Sequence, residues 1–203
     1  MSDIQFTVLI ILIVLLSAVP WGILFYLWKR TRLFMTKKMN ERGETIAAIQ
    51  ETTTALLNLS KLKKGATIIF EQSTDLQPWI TDPTQIDAIL SAELLVNIFE
   101  GTKSPLHDGA VIIKYGKLAQ AGVTITTVSK RKLPREYGTR HRSALGIAEE
   151  TDAIVVTLSE ERQTVTIFQN GNFETLHDLA ELRTVITAAF VSDIDQNTKE
   201  ENK

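Results

Sequence analysis

Apolar residues run unbroken by any charge from Phe6 to Trp28, and Leu, Ile, Val and Phe dominate the stretch. As a helix its 23 residues reach about 34 Å, enough to cross a hydrocarbon core of ~30 Å. Trp21, Tyr26 and Trp28 crowd the C-terminal end, where interfacial aromatics belong. Pro20 and Gly22 would kink such a helix without excluding a span. A helical period then continues from Thr36 to Leu62, with Ile46, Ile49, Thr53, Leu56, Leu59 and Leu62 on one stripe and Glu44, Glu51 and Lys61 off it. About two heptads are convincing, which suits a helix packed on its own domain better than a coiled coil. Gly65 ends the segment.

Beyond Gly65 the pattern turns mixed α/β. Ala66–Phe70 reads as a short strand, and Ile86–Glu100 as a helix with Ile86, Ile89, Leu90, Leu94 and Ile98 on one face. Ala110–Lys114 and Leu118–Ile125 read as strands joined at Tyr115-Gly116-Lys117. A basic loop, Lys130 to Tyr137, leads into a helix over Arg140–Glu150. Ala153–Leu158 is an apolar strand, and Thr164–Phe168 pairs with a strand after Asn170-Gly171-Asn172. Leu179–Phe190 closes the fold as a helix, and the polar residues from Ser192 onward are expected to be disordered. The expected organisation is an anchor over 1–28, a basic juxtamembrane and linker helix over 29–64, a domain over 65–190 and a tail over 191–203.

Two hundred and three residues hold one ordinary domain plus an appendage. A net charge of -2 argues against a nucleic-acid binder, and no nucleic-acid partner is expected. The absence of cysteine removes disulfides, thiolate metal sites and cysteine nucleophiles. Residues 1–43 carry +4 (Lys29, Arg30, Arg32, Lys37, Lys38 and Arg42 against Asp3 and Glu41), leaving -6 for the remainder. All six cations follow the apolar run, so the positive-inside rule places the body in the cytoplasm of a single-pass cell-membrane protein, with the collar resting on anionic lipid. A cleaved signal peptide needs a basic start and a shorter apolar run than this chain has.

Three clusters could carry chemistry. His107-Asp108-Gly109-Ala110 precedes an apolar strand. The Asp-Gly pair suits a turn, or it presents a carboxylate that holds a cation or orients a hydroxyl while Gly109 lets a ligand approach. Thr139-Arg140-His141-Arg142 opens a helix, with Thr139 as the expected N-cap. Cations in a first turn oppose the helix dipole, so two arginines and a histidine there make sense around a bound anion, with phosphate the natural ligand. Lys130, Arg131, Lys132 and Arg135 add to the positive field. Ser159-Glu160-Glu161 ends a strand, either as exposed turn residues or as a carboxylate sharing a metal with Asp108. No P-loop or G-x-G-x-x-G is present, and two His-Asp pairs flanked by β-rich sequence do not suit an all-helical HD phosphohydrolase.

The segments Ser104–Ile113, Gly138–Ile147 and Ser159–Glu161 resemble the DGA, RHR and SEE motifs of the diadenylate cyclase (DAC) domain, in order, over about Gly65 to Phe190. The single anchoring helix is similar to the short, single-span membrane variant of that family. The resemblance implies a twisted mixed sheet flanked by helices, preceded by one transmembrane helix. It implies condensation of two ATP into cyclic di-AMP and two pyrophosphates across a face-to-face homodimer, with Mn2+, Mg2+ or Co2+. Carried over by position, Asp108 holds the metal or polarises the 3′-hydroxyl, and Gly109 and Ala110 lie against the nucleotide. Thr139, Arg140, His141 and Arg142 grip the phosphates, with Arg140 and Arg142 catalytic. Ser159 and Glu160 complete the phosphate shell, Glu161 and His107 join Asp108 at the metal, and Ile125 contacts adenine. Thr124 stands where relatives often place an aromatic, and Ser143 replaces a usual alanine. The alternative is an inactive, membrane-tethered ATP sensor.

Overall fold

The computed structural model describes residues 3–101, 104–134 and 137–200, with side chains described over 20–30, 43–101, 104–134 and 137–191. The elements are α1 (Asp3–Lys61), β1 (Ala66–Phe70), β2 (Ile80–Thr81), β3 (Thr84–Ile89), α2 (Ala92–Glu100), β4 (Ala110–Lys114), β5 (Lys117–Ile125), α3 (Thr139–Glu150), β6 (Ile154–Leu158), β7 (Val165–Gln169), β8 (Asn172–Leu176) and α4 (Leu182–Glu200). The chain divides into two compact units, Met1–Gly43 and Glu44–Lys203.

In the first unit the side chains of Trp21, Leu24, Phe25, Tyr26 and Trp28 stand exposed on α1. Among the described residues no helix is long and apolar enough to cross a membrane. The expected span begins at Phe6, and the side chains of its first fourteen residues lie outside those described.

The second unit is a mixed sheet in the order β2-β5-β4-β1-β6-β7-β8, with β3 also paired to β5. β1 and β4 run parallel, and every other pair is antiparallel. β1 is buried throughout because both faces of the sheet are covered. Ala66, Ile68 and Phe70 face a core built with Ala48, Ile49, Leu56 and Leu59 of α1, Leu95 of α2 and Leu182 and Ile186 of α4. Ile69 on the opposite face joins Val155, Phe168 and the apolar side of α3: Ala144, Leu145, Ile147 and Ala148. The expected stripe on α1 is therefore real between Ile49 and Leu59, whereas Ile46 and Leu62 at its ends are exposed. The second unit begins at Glu44, before the expected boundary at Gly65, and α1 supplies part of its core.

The hairpins follow their turn chemistry. Tyr115-Gly116 and Asn170-Gly171 take positive φ at both positions, the signature of two-residue turns between twisted strands. One expected element divides in two: Ile86–Glu100 is not one helix but an edge strand, β3, followed by α2. Ser91 caps α2 by accepting the Leu94 amide (3.2 Å), and Glu51 on α1 accepts the Ala92 amide (2.8 Å), which together fix the helix start. The open edge of β5 takes the preceding residues into a ladder, and Ile89 is left 85% exposed. At the other end α4 continues as helix to Glu200, beyond the point where the sequence suggested order would stop.

Candidate active site

The parallel pairing of β1 with β4 sets Ile68 beside Val111, which brings Thr67 and the mouth of β4 level with each other. A short 3₁₀ turn, Pro105–Asp108, delivers Asp108 and Gly109 to that mouth, and β5 pairs Val123 with Ala110. The first turn of α3 lies over this row. Between them is a cavity of about 220 Å³. Thr67, Ala110, Val123, Thr124 and Ile125 supply its sheet side, Asp108 and Gly109 its rim, and Thr139, Arg140 and Ser143 its helix side. A larger groove of about 490 Å³ lies against β7, β8 and α4, but none of the candidate residues reaches it.

Helix geometry sorts the Thr139–Arg142 cluster. Successive residues rotate by about 100°, so Thr139, Arg140 and Ser143 share one face while His141 points away. His141 is 5% exposed, stacks on Tyr137 at 4.7 Å and meets Phe168 edge-on at 6.2 Å. Its place is thus beneath the helix rather than on the cavity wall. Arg142 is exposed and also off the wall. The expected cap shifts by one: Gly138 is the N-cap, it supplies no side-chain hydrogen bond, and Thr139 is already helical.

Burial first, then the charges of Arg162 and Arg140, push the His141 imidazole down to about 4. An unfolded chain holds that proton below about 6.5, whereas the folded one refuses it until about 4. Stability is therefore lost as pH falls through that window, by about 2 kcal/mol at pH ~4.5. The substitution His141→Phe is expected to remove this share of the acid sensitivity. Urea midpoints of both proteins at neutral pH and at pH ~4.5 check it, and equal losses in the two would refute the assignment.

Arg140 owes its position partly to Gly65, where an added Cβ would stand 2.7 Å from the guanidinium. Glu160, exposed at the end of β6, approaches Arg140 to 3.9 Å, so the SEE segment does come beside the helix start. Ser159 is buried and its hydroxyl accepts the Arg162 amide (3.4 Å), while Glu161 is exposed. Arg131 of the basic loop is committed elsewhere, to the Gly171 carbonyl and Glu149, and Arg135 lies outside the described residues.

Gly109 has a second job that the sequence concealed. Its φ of -123° suits any residue, but a Cβ there would lie 2.5 Å from the Gly122 carbonyl carbon and 2.6 Å from the Val123 amide nitrogen. The need is for space against β5 as much as for ligand approach. Gly109→Ala must push two strands apart at the cavity rim, so we expect a loss of about 1–3 kcal/mol in stability, read by thermal or urea unfolding.

Among the described residues no three His, Asp or Glu side chains gather as a metal site. A magnesium-like ion carried by a triphosphate needs only one or two protein carboxylates, however. His107 lies beside Asp108, and its Nδ1 meets the Ser104 carbonyl; in the neutral tautomer with Nδ1 as donor, Nε2 would be the atom available to a cation. Asp108 is exposed on the cavity rim.

Residues 53–173, more than half of the chain, match the DAC family, described as DisA bacterial checkpoint controller nucleotide-binding. A diadenylate cyclase of Mycoplasma genitalium is 36% identical over 146 residues, 72% of this chain and 72% of that protein. The cyclic di-AMP synthase CdaA of Bacillus subtilis is 37% identical over 124 residues, 61% of this chain but only 45% of that relative's length. Among solved structures, DacA from Staphylococcus aureus, a double cysteine mutant, has a TM-score of 0.64 at 33% identity, covering 70% of this chain and 94% of that one. A hypothetical membrane spanning protein from Bacillus cereus has a TM-score of 0.59 at 37% identity, covering 63% and 62%. The fold is a mixed α/β domain, a sheet flanked by helices, as in those solved structures. The chain belongs to the DAC family.

Thr67, Val123 and Ser143 were not singled out from sequence as ligand-facing, and all three line the cavity. The one available signal was Thr67 itself, a polar interruption in Ala-Thr-Ile-Ile-Phe.

Proposed function

We infer that this chain is a diadenylate cyclase, joining two ATP into cyclic di-AMP with release of two pyrophosphates. The observation that carries the reading is one cavity. Asp108 with Gly109, and Thr139 with Arg140, converge on it from distant parts of the chain, and its sheet side is apolar at Ala110, Val123 and Ile125. Such a surface suits a base at one end and phosphates at the other. The names of the relatives support the same chemistry.

In this reading each ribose 3′-oxygen attacks the α-phosphorus of the other ATP. One P–O bond forms and the bond to pyrophosphate breaks, twice per product. Thr139 and Arg140 hold the phosphates, Arg142, Ser159 and Glu160 lie off the cavity wall, and Arg140 stabilises the charge of the transferring phosphoryl group. Asp108 accepts or orients the hydroxyl proton. A divalent ion carried by the substrate's phosphates, with Asp108 and His107 as its protein ligands, would neutralise phosphate charge and orient the nucleophile; Glu161 does not gather with these two among the described residues. His141 steadies the helix start from below.

One protomer presents one ATP, so two must face each other, and a homodimer is part of the proposal. So is a single-pass membrane anchor, supported by the Phe6–Trp28 run, the basic collar after it and the exposed aromatics at residues 21–28. Anchoring keeps protomers on one surface and raises their encounter rate.

The test is to incubate the chain, or a fragment from Glu44 that keeps the α1 core residues, with ATP and each of Mn2+, Mg2+ and Co2+. Mass spectrometry then identifies the product. A cyclic dinucleotide is expected; tight ATP binding without turnover at dimer-forming concentrations would overturn the reading in favour of a sensor.

A further inference from the structure

Thr67 is 4% exposed, its side chain lines the cavity, and its hydroxyl has no hydrogen-bond partner among the described protein groups. Buried hydroxyls almost always find partners, because leaving one unpaired forfeits its hydration for nothing. Valine has the same shape and suits a fully buried strand better. The hydroxyl therefore calls for a reason at this place.

Its surroundings supply one. Thr67 is the cavity end of a threonine row that crosses the sheet. It stands opposite Thr157 on β6, which stands opposite Thr166 on β7. Thr166 bonds Thr175 at 3.0 Å, and Thr175 bonds the Tyr137 hydroxyl at 2.6 Å. The far end is thus satisfied internally. Thr157 is also unpartnered, but it is fully buried and does not reach the cavity. Of this row only Thr67 lines the cavity, whose other walls include the Thr139–Arg140 turn and the apolar pair Ala110 and Val123.

We propose that Thr67 is a nucleotide-contacting residue, its hydroxyl hydrogen-bonding a sugar or phosphate oxygen of the nucleotide seated in this cavity. The inference rests on the cyclase reading in assuming that a nucleotide fills the cavity. It predicts a divided outcome. The Thr67→Val variant loses affinity yet keeps the stability of the ligand-free protein, because the group removed had no partner within the protein.

The experiment is calorimetric titration of the full chain in detergent with α,β-methylene ATP and Mg2+, for wild type, Thr67→Val, Thr67→Ser and Thr157→Val, with a thermal melt of each. One hydrogen bond predicts a roughly three- to tenfold weaker Kd for Thr67→Val. Thr67→Ser and Thr157→Val should bind within about twofold of wild type, and the nucleotide-free Tm of Thr67→Val should not fall. Wild-type binding with Thr67→Val unchanged overturns the assignment and leaves the cyclase reading standing. Affinity and Tm falling together in both Thr67→Val and Thr157→Val shows a structural row instead and also overturns it. Failure of the wild type to bind overturns both.

Discussion

Arg140→Ala is expected to slow synthesis of the cyclic dinucleotide by ~10³-fold or more while moving stability by less than about 1 kcal/mol. The two halves of that expectation come from different physics. For the fold, Arg140 does little. Its side chain is 42% exposed, its ion pair with Glu160 is long at 3.9 Å, and solvent screens such pairs to a contribution of ~0–1 kcal/mol. A cation at a helix start even opposes the dipole by ~0.3–1 kcal/mol, so its removal offsets part of what the pair contributed. For catalysis, the same guanidinium sits on the wall of the cavity that also holds Asp108, beside amides that no side chain caps. Arg140→Lys keeps the charge but not the planar fork, and should fall between wild type and Arg140→Ala. Initial rates with saturating ATP, set against Tm values, separate the two effects. A wild-type rate in Arg140→Ala would remove the arginine from the phosphate site.

The second large effect is expected from Asp108→Asn: synthesis falls by at least ~10²–10⁴-fold with the fold intact. Asp108 closes a 3₁₀ turn on the cavity rim, where an amide of equal size fits without repacking. What the amide cannot do is accept a proton from the 3′-hydroxyl or carry the negative charge that a divalent ion requires. ATP binding should persist, since Thr139 and Arg140 are untouched, so the loss belongs in kcat. Unfolding curves that overlay those of wild type, together with lost product, are the expected pair of results. Retained synthesis would take Asp108 out of the mechanism.

Legibility along the chain followed how local each determinant is. β4 and the hairpins at Tyr115-Gly116 and Asn170-Gly171 were readable because alternation and turn residues act over a few neighbours. The segment 86–100 misled because Ile86, Ile89 and Leu90 carry a helical spacing. Its true division depends on Glu51, forty-one residues away, capping α2, and on β5 offering an open edge. Gly109 was noticed, but for ligand approach. Its contact with the backbone at Gly122 and Val123 follows from strand pairing that no local pattern contains.

The candidate site divides in the same way. Residue types, their order and their charge were enough to mark Thr139–Arg142 as a candidate anion site and Asp108 as a candidate carboxylate, since those properties travel with the residues. Which neighbours share a cavity was decided by the folded chain. A rotation of about 100° per residue turns His141 into the core while Ser143 comes to the wall, and the register of β1 against β4 and β6 sets Thr67 there with its hydroxyl unpaired. Direction and register arise only when separate segments meet, so a linear order of side chains could not reveal them.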